Sequence, residues 1–323
     1  MSTYKKQHYV PVSYLSAWSP DGRRIHMFDM ETGLSRLVGM KSVAQASYFN
    51  DAFRRQQGKI TDGLPANAVE REFQDWEGAL LAMRKVALEV AANTRSGTLE
   101  ERQTMSIAAA VQLLRTAKFR ELILWKAARP RTGLPDDLVK WLPQPVQDRI
   151  NEDPTFIAEN ISFIQQALLW TSGIVPHIAT ELYHYIWVIG KNENPFPFYT
   201  SDAAIGSLIH PVKEPPYFPE PTSYADGEDN QDIVKRLFVT EPSEGGLQLV
   251  FPLAPECALL MFHPRDFLKE LGTRQGKVLV LGGKSVLIQN SAIAAFAARQ
   301  VLSSTSDFWL AEAVRDHLES TRG

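Results

Sequence analysis

Three residue types that proton transfer and charge stabilisation require stand far apart in this chain: His8, Arg115 and Asp202. An imidazole with a carboxylate makes an acid–base pair or two ligands of a divalent metal, and a guanidinium nearby grips a phosphate or carboxylate through two parallel bonds. Pro11 forces Val10 into an extended conformation, so Gln7 and His8 point to opposite faces of a strand-like arm and only one can enter a given pocket; His8 is the better candidate. Asp202 follows Ser201 at the end of a predicted strand, a place where sheets present polar groups to ligands. Gln112, Arg115, Thr116, Lys118 and Arg120 fall on one predicted helix, and with Lys126, Arg129 and Arg131 they form the densest basic stretch of the chain. Plainer structural roles stand beside each of these: a backbone-bonded His, an Asx-turn or helix cap at Asp202, a solvated helix face for the cations, and an interhelix ion pair from Glu70 or Glu77 to Arg115.

Two further patterns look like sites and read better as structure. His177, Glu181 and His184 share a helix face but lack the His-Glu-x-x-His order of zinc proteases, and Ile178, Leu182 and Tyr185 explain that helix by packing. Residues 277–285, Lys-Val-Leu-Val-Leu-Gly-Gly-Lys-Ser, lack the spacing of a phosphate loop, and Val286-Leu287-Ile288 reads as more strand, which makes Gly282-Gly283 a hairpin turn.

The elements that must position these groups fall into three stretches: 1–65, 66–184 and 185–323. The first holds the arm, a helical turn over Ser13–Trp18, and a hairpin of 24–29 and 34–38 closed at Gly33, with Tyr48 and Phe49 packing back on it and a loop at 54–65. The second is helical: Val69, Phe73, Trp76, Leu80, Met83 and Val86 recur at helical steps, Thr98 and Glu101 make a capping box for a helix reaching about Ala128 and stopped by Pro130, and 155–169 and 178–185 follow after short pieces. The third returns to strands, with 185–189 ending at Gly190 and pairing antiparallel with 196–202, then 247–252, 258–262, 278–281 and 286–288. Two helices close it, 291–302 and 306–317. Its Pro-rich stretch 211–232, carrying Tyr217, Phe218 and Tyr224, reads as an exposed loop, a lid or a partner surface. The expected fold class is α+β, a mainly antiparallel sheet built from the N- and C-terminal segments with a helical insert between them, so that 1–65 and 185–323 form one domain.

Bulk composition narrows the function classes. With 34 basic and 37 acidic residues among 323 the net charge is −3, so no whole-molecule field gathers nucleic acid or anionic lipid, and any nucleic-acid contact is local. The single cysteine, Cys257, excludes an internal disulfide and a multi-cysteine zinc site and reads as a core residue in a reducing compartment. No stretch approaches the roughly twenty apolar residues of a membrane helix, and no apolar run follows the N-terminal lysines, so a cytoplasmic location and no membrane partner are expected.

The opening Gln7-His8-Tyr9-Val10-Pro11, then Tyr14-Leu15, Trp18 and Asp21-Gly22, closely resembles the start of the bacterial and fungal family called domain of unknown function 4238. The likeness continues in order with Gln112, Arg115 and Thr116 on a helix, Thr200-Ser201-Asp202 at a strand end, Phe251-Pro252-Leu253, and Asn290 before the penultimate helix. One departure is Ala203-Ala204, where the family usually continues with Asn-Pro. The resemblance implies site positions and no reaction. Joined to the chemistry above, it gives the expectation of a phosphoester-directed hydrolase acting on nucleic acid or a nucleotide. His8 and Asp202 would be catalytic, or the ligands of a divalent metal, and Gln7, Gln112, Arg115, Thr116, Ser201 and Asn290 would bind substrate. The alternative is a non-catalytic module in which the same residues only bind a ligand or a protein. Both expect His8, Arg115 and Asp202 to line one concave pocket, with Gln112 and Asn290 at its edge.

Overall fold

A computed structural model describes residues 6–47, 49, 68–93, 95–128, 136–153, 155–171, 173–210, 233–238 and 246–322. In chain order, strand β1 (Lys6–His8) leads into α1 (Val12–Leu15), β2 (Arg24–Asp29), β3 (Ser35–Gly39) and β4 (Gln45–Ser47). Then come α2 (Ala68–Asn93), α3 (Leu99–Leu114), α4 (Ala117–Ala127), α5 (Asp136–Val139), α6 (Gln144–Glu152), α7 (Phe156–Glu159), α8 (Ile161–Thr171) and α9 (Ile174–His184). Strands β5 (Ile186–Asn192), β6 (Thr200–Ser201) and β7 (Gly206–His210) are followed by α10 (Ile233–Phe238), β8 (Gly246–Ala254), β9 (Cys257–Phe262), α11 (Pro264–Leu271), β10 (Lys277–Leu281), α12 (Gly283–Phe296), β11 (Gln300–Ser303) and α13 (Trp309–Arg322). The expected loops at 54–65 and 211–232, and the stop at Pro130, lie outside the described residues.

The architecture is α+β, with the described strands in three sheets rather than one. The five-stranded sheet runs β10-β5-β9-β8-β7, parallel only between β10 and β5, and the four-stranded antiparallel sheet runs β3-β2-β11-β6. The arm strand β1 pairs antiparallel with β4, and the β2–β3 hairpin turns at Gly33, whose φ of 70° is the left-handed conformation glycine tolerates best. Both chain ends meet in the four-stranded sheet, where β11 lies between β2 and β6.

Period-2 alternation buries both faces of the five-stranded sheet. Trp187, Ile189, Leu249, Phe251, Leu259 and Met261 join the large core beneath the helices, which extends from Tyr9 to Leu302. Val188, Val250, Ala258 and Leu260 face a second core with Val286, Ile293, Val301 and Phe308. Helix α2 packs on β5, β8 and β9, and α12 packs on β6, β7 and β8. Cys257 is buried, and burial pushes its thiol up to about 12.

Several local expectations are corrected. The helix expected to run unbroken to about Ala128 splits at Arg115 and Thr116, where Thr116 turns extended (ψ 161°) and caps α4 by accepting from the Phe119 N–H. A second split at Asn160 divides the helix expected over 155–169 into α7 and α8. Thr200–Ser201 does not pair with β5; it pairs with β11, while β5 lies between β9 and β10. Strand β5 also runs through Gly190 to Asn192, and a Cβ on Gly190 would come 2.8 Å from the Leu281 side chain, so the missing side chain lets β10 close against it. Residues 286–288 are helical within α12, with Gly282 extended just before it, because Val286 is needed in the second core. That helix ends at Phe296, and 300–303 is a strand; the last helix starts at Trp309, not at 306.

Candidate functional site

The N-terminal arm is gripped by the last turn of α3. Strand alternation turns Gln7 inward, 1% exposed, and leaves His8 half-buried on the other face. Gln112 Nε2 donates to the Tyr9 carbonyl at 3.2 Å, and Arg115 Nη2 donates to the His8 carbonyl at 3.0 Å. Arg115 is 1% exposed, and Glu77 on α2 approaches it at 3.9 Å, so the interhelix pair expected from the sequence forms with Glu77. On the far side of the break, Arg120 donates to the Phe49 carbonyl at 2.7 Å and to the Gln165 side chain, and its guanidinium lies 3.5 Å over the Phe49 ring. Phe49 packs in turn on Tyr9, ring centroids 4.7 Å apart.

The His8 imidazole has its Nδ1 buried without a hydrogen-bond partner. Burial lowers its pKa, the Val43 carbonyl pulls it back up, and the positive charges of Arg115 and Lys41 lower it further. The ring is therefore held neutral in a locally positive setting.

The strand-end residues meet backbone. Both Asp202 carboxylate oxygens are taken by successive main-chain N–H groups, Ala298 at 2.9 Å, Arg299 at 2.9 Å and Gln300 at 3.1 Å. These bonds draw 298–300 out of helical register and set up β11. Burial lifts the Asp202 pKa to about 7 against the pull of those donors. Ser201 Oγ accepts from the Ala203 N–H at 3.2 Å. Asn290 on α12 accepts from the Tyr199 N–H at 2.8 Å and donates to the Pro197 carbonyl at 2.9 Å. From the arm side, Tyr14 OH meets Thr200 Oγ1 at 2.9 Å, and Trp18 Nε1 donates to the Phe198 carbonyl at 2.7 Å. Ala204 has φ 60°, which proline cannot adopt, so the Asn-Pro of the family pattern is incompatible with the turn this chain makes after Asp202.

Arm and strand end are joined by a relay. The Tyr9 N–H donates to the Ala44 carbonyl at 3.1 Å, the Ala44 N–H to Gln300 Oε1 at 2.9 Å, and the Gln300 N–H to Asp202. His8 and Asp202 share no hydrogen bond or ion pair. Thus His8, Arg115 and Gln112 come together; Asp202, Ser201 and Asn290 sit at the second end of this relay. Sequence reasoning missed Lys41, Ala44 and Gln300. The first two were passed over inside a presumed connector and Gln300 inside a presumed helix, and no local pattern marks them.

The spacing of His177, Glu181 and His184 has a structural outcome. Glu181 pairs with His177 Nε2 at 2.9 Å and accepts the N–H groups of Ile233 and Val234 at 3.0 and 3.1 Å, capping α10. Among the described residues no group of three or more His, Cys, Asp or Glu is placed to hold a metal, and no helix is long and apolar enough to cross a membrane.

The fold and these backbone locks define an α+β protein with an N-terminal arm stitched into its core. The chain belongs to the DUF4238 family: that family's model, described as a protein of unknown function, matches residues 6–307. No curated protein and no solved structure matches the chain.

Proposed function

We propose that this protein is a non-catalytic binding module that recognises an anionic group, a phosphate of a nucleotide or nucleic acid or a carboxylate, at the arm corner of His8, Lys41 and Arg115. The observation that carries this reading is the setting of His8: a ring nitrogen without a hydrogen-bond partner, with positive charge from Arg115 and Lys41 acting on it. An anion seated there gains the favourable field of both cations and draws a proton onto the His8 ring, whose free nitrogen then donates to it. Gln7, Gln112 and Thr116 then shape the corner, and Ser201, Asp202 and Asn290 hold the strand end that the arm leans on. The one buried Cys257 suits a reducing, cytoplasmic setting.

A phosphoester-directed hydrolase is the second reading, supported by the lowered pKa of His8, which favours the neutral ring a general base needs. In that role Asp202, as partner or as a second ligand of a divalent metal, would have to release backbone N–H groups it now binds. Calorimetric titration with ATP, a short RNA and inorganic phosphate, run beside a hydrolysis assay with and without magnesium, separates the two. The binding reading expects saturable binding that weakens at least roughly tenfold in His8→Ala and Lys41→Ala, with no turnover. Metal-dependent turnover abolished by His8→Ala would replace it with the hydrolase, and no binding of any of the three, nor of citrate as a carboxylate probe, would overturn both.

A further inference from the structure

A second site lies in the helical region. Helices α2, α3, α8 and the start of α9 surround a half-open cavity of about 380 Å³. Its described walls are Trp76 from α2, Ile107 and Val111 from α3, Leu169 and Trp170 from α8, and Pro176 at the start of α9; none of the described residues lining it carries a charge. Ile107 and Val111 are one turn apart on one face of α3, and the capping box at Thr98 and Glu101 fixes where that helix starts. The Trp170 ring is held in place by its Nε1, which donates to the buried Gln166 Oε1 at 2.7 Å. Gly173 has φ 68° and turns the chain sharply from α8 into α9, closing that end of the cavity.

Apolar walls of this extent are poorly suited to water, which needs two or more polar partners to be held. The described walls offer no charge, which disfavours anions and cations, since either would be desolvated there without a partner. Volume sets the size of the occupant. A cavity of roughly 150 Å³ takes one benzene ring, so this one takes about fifteen non-hydrogen atoms. Two indoles from different helices supply flat faces that stack well on another ring and gain less from an alkyl chain.

We infer that this cavity binds a small, uncharged, ring-containing apolar molecule. The site is distinct from the arm corner: Val111 lies one turn before Arg115 on α3, but the Arg115 guanidinium is engaged with the arm carbonyl of His8. The inference therefore stands or falls separately from the anion-binding reading.

The test is calorimetric titration of the full chain with 2-naphthol, 2-naphthoate and 1-decanol. Val111→Trp on the α3 wall and Leu169→Phe on the α8 wall, which Leu169 also lines, each fill the cavity and serve as variants, with circular dichroism checking that each folds. Saturable 2-naphthol binding is expected, at least roughly tenfold weaker for the naphthoate and in either folded variant. Absence of 2-naphthol binding, or binding unchanged in a folded filling variant, overturns the site. Naphthoate or decanol binding as tightly as naphthol overturns the assigned ligand class. ATP binding measured on the same variants is expected to be unchanged, so a failure here is distinguishable from a failure at His8.

Discussion

The Arg115 guanidinium donates to the main-chain carbonyl of His8 at 3.0 Å, tying the last turn of α3 to the N-terminal arm at a point where Arg115 itself is almost wholly buried. A side chain so placed acts on the arm through its backbone, and its removal leaves a carbonyl unpaired and a void beside it. Arg115→Ala is expected to lower stability by about 2–4 kcal/mol, with Arg115→Lys losing less because the charge remains. Urea unfolding midpoints measure both, and an alanine variant within experimental error of the parent would show the arm to be held elsewhere.

Asp202 gives a pH dependence with a definite sign. Its folded pKa of about 7 lies above the ordinary value of 3.8, so between those two values the folded protein holds a proton that the unfolded chain has released. The Asp202 contribution to stability is thus greatest in acid, declines as pH rises from about 4 to 7, and is level above that range. Asp202→Asn removes the titration and places an amide N–H against backbone donors, so it should be destabilised at every pH yet lack this slope. Thermal unfolding of both proteins across pH 4–8 checks it; parallel curves would mean that the three N–H donors keep Asp202 ionised throughout.

The start of α3 has the opposite sign. Thr98 and Glu101 form a complete capping box, and Arg95 pairs with Glu101 at 2.6 Å, pulling its pKa down to about 2 from 4.5. Here the unfolded chain binds the proton first, so the contribution is full above about pH 4.5 and disappears as pH falls through 2. Thr98→Ala should cost about 1 kcal/mol at pH 7. Glu101→Gln should flatten the acid limb of the stability curve between pH 4.5 and 2, and an unchanged acid limb would remove the pair from the account.

The backbone locks at the arm and at the strand end give the polar residues shared with the family pattern a role that does not require catalysis. A buried carboxylate or amide that accepts from main-chain N–H groups fixes the path of a strand as firmly as a hydrophobic contact does, and with more directional precision. Asn290 and Asp202 act in this way on Tyr199 and on 298–300, while Tyr14 bonds the Thr200 hydroxyl and Trp18 donates to the Phe198 carbonyl. Tyr9, Tyr14 and Trp18 of the aromatic chain start each find a partner, in Phe49, Thr200 and the Phe198 carbonyl.

What the sequence determined by itself is whatever depends on neighbours within about one turn or one hairpin. The extended arm before Pro11, the hairpin at Gly33, the capping box at Thr98 and the periodic helix through Trp76 and Met83 were all legible, because backbone sterics and the 3.6-residue repeat act locally. The tertiary structure alone decided which strands pair and which polar atoms are used. Thr200–Ser201 looks as able to pair with β5 as with β11, and only Asp202 catching the N–H groups of 298–300 places β11 beside it. Val286-Leu287-Ile288 is β-branched enough to read as strand, yet burial of Val286 in the second core makes it helix. His8 and Asp202 carry the chemistry of a pair, but their spacing is set by the relay through Ala44 and Gln300, whose contacts span 256 residues of sequence to Ala44 and 98 to Asp202. No local pattern encodes a contact at that separation, since its energy arises only when distant segments have already been brought together.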